Sequence, residues 1–245
     1  MPLTSPAIRF DAVSKRFGKA QVLRSVSFEV PDATAFALAG ENGAGKTTLI
    51  KCLLDFCHPE GGSITIGGHA SREPQSRRSI AFLPERFTPP WYLTGRQFLS
   101  GMQRMGDKPW DERAGRAMLA ALGLSAEALD KPVRTFSKGM NQKLGLAACL
   151  LSGRRLLVLD EPMSGLDPSA RFRVKDLLAR ARQQGSTLLL TSHSLADVEE
   201  ICDHMAVLHR GEVAFTGQPA ALRERYGERS LEGAFLKCIG EAPNG

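Results

Sequence analysis

The stretch Ala39 to Ile50, A-G-E-N-G-A-G-K-T-T-L-I, constrains this chain more than any other. It carries Gly40, Gly45, Lys46 and Thr47 at the spacing G-x-x-x-x-G-K-[ST]. Glycines at 40, 43 and 45 let the backbone curl so that successive N–H groups point inward and make an anion-binding nest. A helix beginning near Lys46 adds the positive end of its dipole to the same place. The expected phosphate contacts run from Gly40 through Glu41, Asn42, Gly43, Ala44 and Gly45 to Lys46, Thr47 and Thr48. Lys46 would reach the β- and γ-phosphates as a point charge, and the Thr47 hydroxyl would hold Mg²⁺. The bland alternative is a glycine-rich turn followed by an exposed lysine. The flanks decide against it: Ala35 to Ala39 is an apolar run of strand length, and Leu49, Ile50, Leu53 and Leu54 recur at helical spacing.

At 245 residues, with 42% hydrophobic and 24% charged residues, the chain suits one globular domain with an elaborated subdomain. Its longest apolar run, Leu144 to Leu151, falls far short of the roughly 18 residues that span a bilayer. The first residues, M-P-L-T-S-P, show no secretory signal. At a membrane, the chain is expected to act from one side. Five cysteines without a C-x-x-C pair point to reduced thiols in a cytosolic protein rather than a disulfide frame or zinc site. A net charge of +6 admits nucleotide phosphates, nucleic acid or an anionic membrane face as partners. No basic run interleaved with aromatics favours nucleic acid.

Ile8 to Phe17 and Val22 to Val30 alternate as an antiparallel pair turning at Gly18-Lys19-Ala20. Phe17, at that turn, reads equally as a base-stacking or a core aromatic. Ser63 to Ile66 and Ser79 to Leu83 read as short strands, the second stopping at Pro84-Glu85-Arg86. From Phe87 to about Leu151 the pattern turns helical, with Thr94 as a cap and Asp111 to Leu122 as one helix. Because this block lies between strand-rich halves, it reads as an insertion within one domain of about residues 7–230. Leu156 to Leu159 is a buried-strand pattern, followed by Asp160-Glu161-Pro162. Asp167 caps a helix with Pro168 in its first turn and Val174, Leu177, Leu178 and Ala181 as its stripe. Thr187 to Thr191 is another strand, ending at Ser192-His193. The remainder from Pro219 reads as polar helix, with residues 231–245 as a tail. Strands alternating with helices imply a mostly parallel sheet with helices on both faces.

This order of segments resembles the nucleotide-binding subunit of an ATP-binding cassette (ABC) transporter over roughly Ile8 to Leu236. The resemblance implies an α/β fold: a P-loop NTPase core, an N-terminal antiparallel β subdomain and an inserted helical subdomain. Leu156 to Pro162 matches the family's Walker B strand, where Asp160 would reach the Mg²⁺ shell and Glu161 would polarise the attacking water. Phe136-Ser137-Lys138-Gly139-Met140-Asn141-Gln142 is similar to the signature L-S-G-G-Q in diverged form. Phe136, Lys138 and Met140 replace leucine, the first glycine and the glutamine; a plain Ser137 N-cap is the alternative. In the family this segment (Ser137, Lys138, Gly139, Met140) meets the ATP of a partner subunit, implying a head-to-tail homodimer around two ATP. Ser164, Gly165, Leu166 and Asp167 are similar to the D-loop that crosses that interface. His193 stands in the place of the switch histidine, and Phe17 matches the adenine-stacking aromatic.

One departure matters: after Leu83-Pro84 most members carry a glutamine that touches Mg²⁺, and here it is Glu85. A carboxylate still suits Mg²⁺; the alternative is a surface ion pair with Arg86. L-P-E, the F-S-K-G-M-N-Q signature and S-L-E-G-A-F-L (Ser230 to Leu236) resemble the bacterial export subgroup, whose membrane subunits are separate chains. The implied protein is an ATPase on the cytoplasmic face of the cell membrane, with ATP and Mg²⁺ as cofactors and an integral membrane permease as partner. Phe87, Trp91 and Tyr92 are expected either to line the docking groove or to sit in the subunit's own core. Two other function classes stand beside this one. They are a soluble cassette ATPase acting on nucleic acid or ribosomes, and a regulatory module that holds ATP without hydrolysing it.

Overall fold

The computed structural model describes residues 5–106 and 108–240. In chain order its strands are β1 (Ile8–Phe17), β2 (Ala20–Val30), β3 (Ala35–Ala39), β4 (Gly61–Ile66), β5 (His69–Ala70), β6 (Ile80–Leu83), β7 (Leu156–Leu159), β8 (Thr187–Thr191), β9 (His204–His209) and β10 (Glu212–Gly217). Its helices are α1 (Lys46–Leu53), α2 (Pro74–Arg77), α3 (Gly95–Met105), α4 (Glu112–Ala121), α5 (Lys138–Leu151), α6 (Pro168–Gln183), α7 (Leu195–Ile201), α8 (Pro219–Tyr226) and α9 (Leu231–Cys238). Four strands form an antiparallel sheet in the order β2-β1-β4-β5, and six form a second sheet in the order β10-β9-β3-β8-β7-β6. All pairings in the second sheet are parallel except β9 with β10.

Both faces of the parallel sheet are covered, so its strands are apolar throughout rather than alternating with polar residues. The side-chain period of two still divides them between two clusters. Ala35, Ala37, Ala39, Leu157, Leu159, Leu188 and Leu190 face the cluster that also takes in Leu99 of α3, Leu119 of α4, and Leu144 and Leu146 of α5. Phe36, Leu38, Leu156, Val158 and Leu189 face the opposite cluster, with Leu49 and Ile50 of α1 and Ile8, Phe10 and Phe28 of the antiparallel sheet. Phe10, Phe28 and Phe36 stack in sequence, with ring centroids 4.6 and 5.5 Å apart, and so tie the two sheets together. α1 is therefore clamped between the sheets, and its N-terminus opens at the carboxyl ends of β3, β7 and β8.

Several local expectations are met with shifted edges. The β1–β2 turn is tighter than read from the sequence, because Ala20 already pairs with Phe17 and only Gly18 and Lys19 turn. Thr94 caps α3 with a full capping box: its hydroxyl accepts from the Gln97 N–H, and the Gln97 side chain accepts from the Thr94 N–H. Asp111 caps α4, and Asp167 caps α6 with Pro168 at its first position.

The structure decides one open reading and corrects another. Phe87 is partly buried and packs edge-on against Phe98, whereas Trp91 and Tyr92 are two-thirds exposed, so only the first is a core aromatic. The segment from Pro219 is helical but not simply polar. Leu222, Leu231 and Ala234 are fully buried, and α9 packs on α8 and α7. Apolar residues spaced three or four apart on short helices are too sparse for a moment to stand out of the sequence, yet they still cover the end of the core. Residues 241–245, the last part of the expected tail, lie outside the described residues.

Candidate functional site

The phosphate loop adopts a curl that only glycine tolerates at two points. Gly40 has φ +156°, and a Cβ there would meet the Leu208 carbonyl oxygen at 2.4 Å. Gly45, the N-cap of α1, has φ +109°, and a Cβ would lie 2.8 Å from Leu23 Cδ2 and 3.0 Å from the Val22 oxygen. Short turns close the loop: Ala44 N–H donates to the Glu41 carbonyl at 3.2 Å, and Gly211 N–H donates to the Ala44 carbonyl at 3.2 Å. With no side-chain cap, the first N–H groups of α1 remain turned to the loop mouth.

A cavity of about 310 Å³ opens there, bounded by Glu41, Asn42, Gly43, Gly45, Lys46, Thr47 and Thr48 on one side and by Glu85, Asp160, Glu161 and His193 on the other. Residues far apart in sequence thus converge, and they do so at the carboxyl ends of parallel strands, where such sheets place their ligands. Gly40 and Ala44 sit behind the lining and shape it. Lys46 is 8% exposed; its ammonium donates to the carbonyls of Gly40 (2.5 Å) and Glu41 (3.0 Å). Burial lowers its pKa, opposed by the charges of Glu161, Asp160, Glu41 and Glu85. It is a cation held by backbone dipoles at the mouth of the loop.

Asp160 and Glu161 follow β7 and are nearly buried. The Thr191 hydroxyl, fully buried at the end of β8, donates to Asp160 Oδ1 at 2.6 Å and accepts from the Glu161 N–H at 2.9 Å. One side chain therefore fixes both carboxylates. Glu161 sits at φ +51°, a left-handed conformation that costs about 1–3 kcal/mol in a non-glycine residue. Gln142 of α5 holds this turn by donating to the Glu161 and Pro162 carbonyls at 3.3 and 3.2 Å. His193 N–H donates to Glu161 Oε2 at 3.3 Å. Glu161 Oε1 lies 3.3 Å from His193 Nε2 but out of hydrogen-bonding alignment, and is left buried without a partner. Burial raises the pKa of both carboxyls, with Glu85 adding to the rise at Asp160 and His193 and Lys46 opposing it at Glu161.

The signature and D-loop segments lie outside this cavity but against each other. Ser137 caps α5, its hydroxyl accepting from the Met140 N–H at 3.2 Å. A Cβ at Gly139 would stand 3.5 Å from the Gly165 oxygen, and one at Gly165 (φ +73°) would stand 3.5 Å from Lys138 Cε. Ser137, Lys138, Gly165 and Asp167 are exposed, with Gly139, Met140, Ser164 and Leu166 half-buried beside them. Phe17 does not line the cavity. Its ring is half exposed, with the Lys15 ammonium 5.1 Å above it. Thr191 and Val22 are site residues that sequence reasoning missed, as was the clamping role of Gln142. A threonine closing the buried run T-L-L-L-T directly before Ser-His was the available signal for the first.

The cavity suits a nucleotide triphosphate with a hard divalent cation. The nest and Lys46 supply the anion site; the Thr47 hydroxyl and the carboxylates of Glu85, Asp160 and Glu161 on the lining are oxygen donors of the type Mg²⁺ takes, although among the described residues no three acidic, His or Cys side chains form a ready-made metal cluster. Such a strand–loop–helix site under a parallel sheet defines a P-loop nucleotide-binding domain. Residues 23–164 match the family model described as ABC transporter. The chain is 39% identical over 82% of its length to an uncharacterised ABC transporter ATP-binding protein of Synechocystis sp., covering 58% of that protein. It is 36% identical over 89% of its length to a Nod factor export ATP-binding protein I of Burkholderia orbicola, covering 72% of it. A solved structure described as the ATP binding subunit of an ABC transporter superposes with a TM-score of 0.84 at 29% identity, covering 95% of this chain and 99% of that one. The chain belongs to the ATP-binding subunits of the ABC transporter family. It spans a little under three-fifths of the Synechocystis relative. Among the described residues no helix is long and apolar enough to cross a membrane.

Proposed function

We propose that this subunit hydrolyses ATP at a head-to-tail interface between two copies and thereby drives export through a separate membrane subunit. The observation that carries the reading is the convergence of Lys46, Asp160, Glu161 and His193 on one cavity opened by the phosphate nest. The nest and Lys46 bind and orient the triphosphate, with Lys46 held at the loop by the carbonyls of Gly40 and Glu41. Glu161, carrying an oxygen with no partner, orients the attacking water and takes its proton. The His193 N–H steadies the other carboxylate oxygen. Mg²⁺, bound by Thr47 and Asp160 with Glu85 alongside, would neutralise charge developing on the phosphate oxygens. The Ser137–Gly139 turn at the N-terminus of α5, with Ser137 and Lys138 exposed, is suited to a second nucleotide's γ-phosphate, and the Ser164–Asp167 loop beside it to the facing copy.

Trp91 and Tyr92, two-thirds exposed beyond Glu85, suit a membrane subunit docking on the cytoplasmic side, and the Nod factor export relative favours the export direction. ATP contacts made only in the closed pair shift the open–closed equilibrium, and hydrolysis removes them. Phosphate release by the wild type and by Glu161→Gln, with and without Mg²⁺, tests the chemistry. Turnover that needs Mg²⁺ and nearly vanishes in the variant is expected. Near-normal turnover in Glu161→Gln removes Glu161 from the mechanism, and tight ATP binding without turnover in the wild type favours a regulatory ATP-binding module.

A further inference from the structure

Cys52 and Cys57 have no part in the nucleotide site, yet their sulfurs lie 3.5 Å apart, in direct contact. The approach is built into the backbone. α1 ends in a left-handed turn in which Phe56 N–H donates to the Lys51 carbonyl at 2.8 Å and Asp55 N–H to the Cys52 carbonyl at 3.2 Å. Asp55 occupies the left-handed position at φ +62°, where glycine is usual, and its carboxylate accepts from Arg77 Nη1 at 3.1 Å. The chain beyond is tied to β1, because Glu60 N–H donates to the Ser14 carbonyl at 2.8 Å. The turn thus carries Cys57 back onto the last helical turn, against Cys52.

The two thiols are unequal. Cys52 is 1% exposed, and burial with the Cys57 hydrogen bond pushes its pKa up to about 12. Cys57 is half-buried and reachable by a small oxidant. The Lys15 charge opposes that rise at Cys52 without overcoming it. Cys149 and Cys202 are buried, with thiol pKa values pushed up mainly by that burial, and neither has another cysteine sulfur in contact among the described residues.

We propose that Cys52 and Cys57 form a redox-active dithiol that closes to an intramolecular disulfide when the subunit meets a hydroperoxide. The Cys57 sulfur attacks the peroxide: an S–O bond forms, the O–O bond breaks, and the alcohol or water leaves carrying the thiol proton, giving Cys57 sulfenic acid. Cys52 sulfur then attacks Cys57 sulfur; the S–S bond forms, the S–O bond breaks, and hydroxide leaves as water with the Cys52 proton. Two thiols lose two electrons and the peroxide gains them. Closure needs the sulfurs to approach by about 1.5 Å, to the roughly 2.0 Å of a disulfide, within reach of a side-chain rotation on a turn already set. The site lies at the end of α1 opposite Lys46, so it is a modification site separate from the nucleotide contacts.

The test is peptide mapping of the intact, folded subunit after hydrogen peroxide, with free thiols then alkylated under denaturing conditions. Both cysteines fall in one tryptic peptide, residues 52–72. That peptide is expected two hydrogen masses lighter and unalkylated, with Cys149, Cys202 and Cys238 still alkylated and dithiothreitol restoring both thiols. In Cys52→Ser, Cys57 is expected to accumulate as a dimedone-trapped sulfenic acid. Full alkylation of the peptide after peroxide, sulfinic acid at Cys57 with Cys52 still free, or a disulfide to any other cysteine each overturns the proposal. The wild-type measurement stands whether or not the variant folds.

Discussion

Thr191→Val removes the one hydroxyl that links the two carboxylates, in a side chain of nearly unchanged shape. The fully buried hydroxyl makes two bonds, to Asp160 Oδ1 at 2.6 Å and from the Glu161 N–H at 2.9 Å. Valine makes neither, so a buried N–H and a buried carboxylate oxygen are both left without partners. At about 1–3 kcal/mol for each stranded group, partly relieved by the gained methyl, the expected loss is about 3 kcal/mol. For a chain of this size that corresponds to a drop in Tm of about 6–12 °C. Thr191→Ser keeps both bonds and loses one buried methyl, about 1 kcal/mol. Because the Thr191 bond also opposes the rise in the Asp160 pKa, the valine variant holds that carboxyl protonated to higher pH and needs more Mg²⁺ at pH 7. Thermal and urea unfolding of the three proteins, with Mg²⁺ titration of ATPase, measure this. A Thr191→Val protein that melts within a degree of wild type, or below which Thr191→Ser falls, refutes the reasoning.

Gly40→Ala drives a Cβ to within 2.4 Å of a backbone oxygen in β9, which cannot swing aside, so a loss of about 2–3 kcal/mol together with weakened ATP binding is expected in unfolding and nucleotide-titration experiments. The paired carboxylates also make stability depend on pH. Asp160 and Glu161 both have raised pKa values in the folded state, so the fold holds their protons more tightly than the unfolded chain does. Relative to Asp160→Asn/Glu161→Gln, the wild type without nucleotide should therefore gain Tm as pH falls toward the ordinary carboxylate range near 4, and the gain should stop below it. Parallel Tm curves for the two proteins would contradict it.

Local patterns carried much of this molecule. The spacing around Lys46, the buried run ending at Asp160 and the caps at Thr94, Asp111, Ser137 and Asp167 are each written within a few residues, because each depends on short-range backbone geometry. What escaped is long-range. Thr191 reaches Asp160 and Glu161 across some thirty residues, and Gln142 reaches Glu161 from another helix. No periodicity encodes which buried polar side chain faces which. The two-sided burial of the parallel strands was legible from their unbroken apolar runs. The exposure of Trp91 and Tyr92 was not, since an aromatic on an irregular loop follows no period. The burial of Leu231 and Ala234 was hidden for a related reason: a two-turn helix offers too few positions to mark a face.

The central claim is that each ATP is held between the phosphate loop of one copy and the Ser137 turn of the other. Sedimentation of Glu161→Gln in MgATP, beside the double variant Glu161→Gln/Ser137→Arg, tests it most directly. The account predicts an ATP-dependent dimer for the first, and for the second a monomer that still binds nucleotide. An ATP-loaded Glu161→Gln protein that stays monomeric, or a dimer indifferent to the substitution at Ser137, would contradict it.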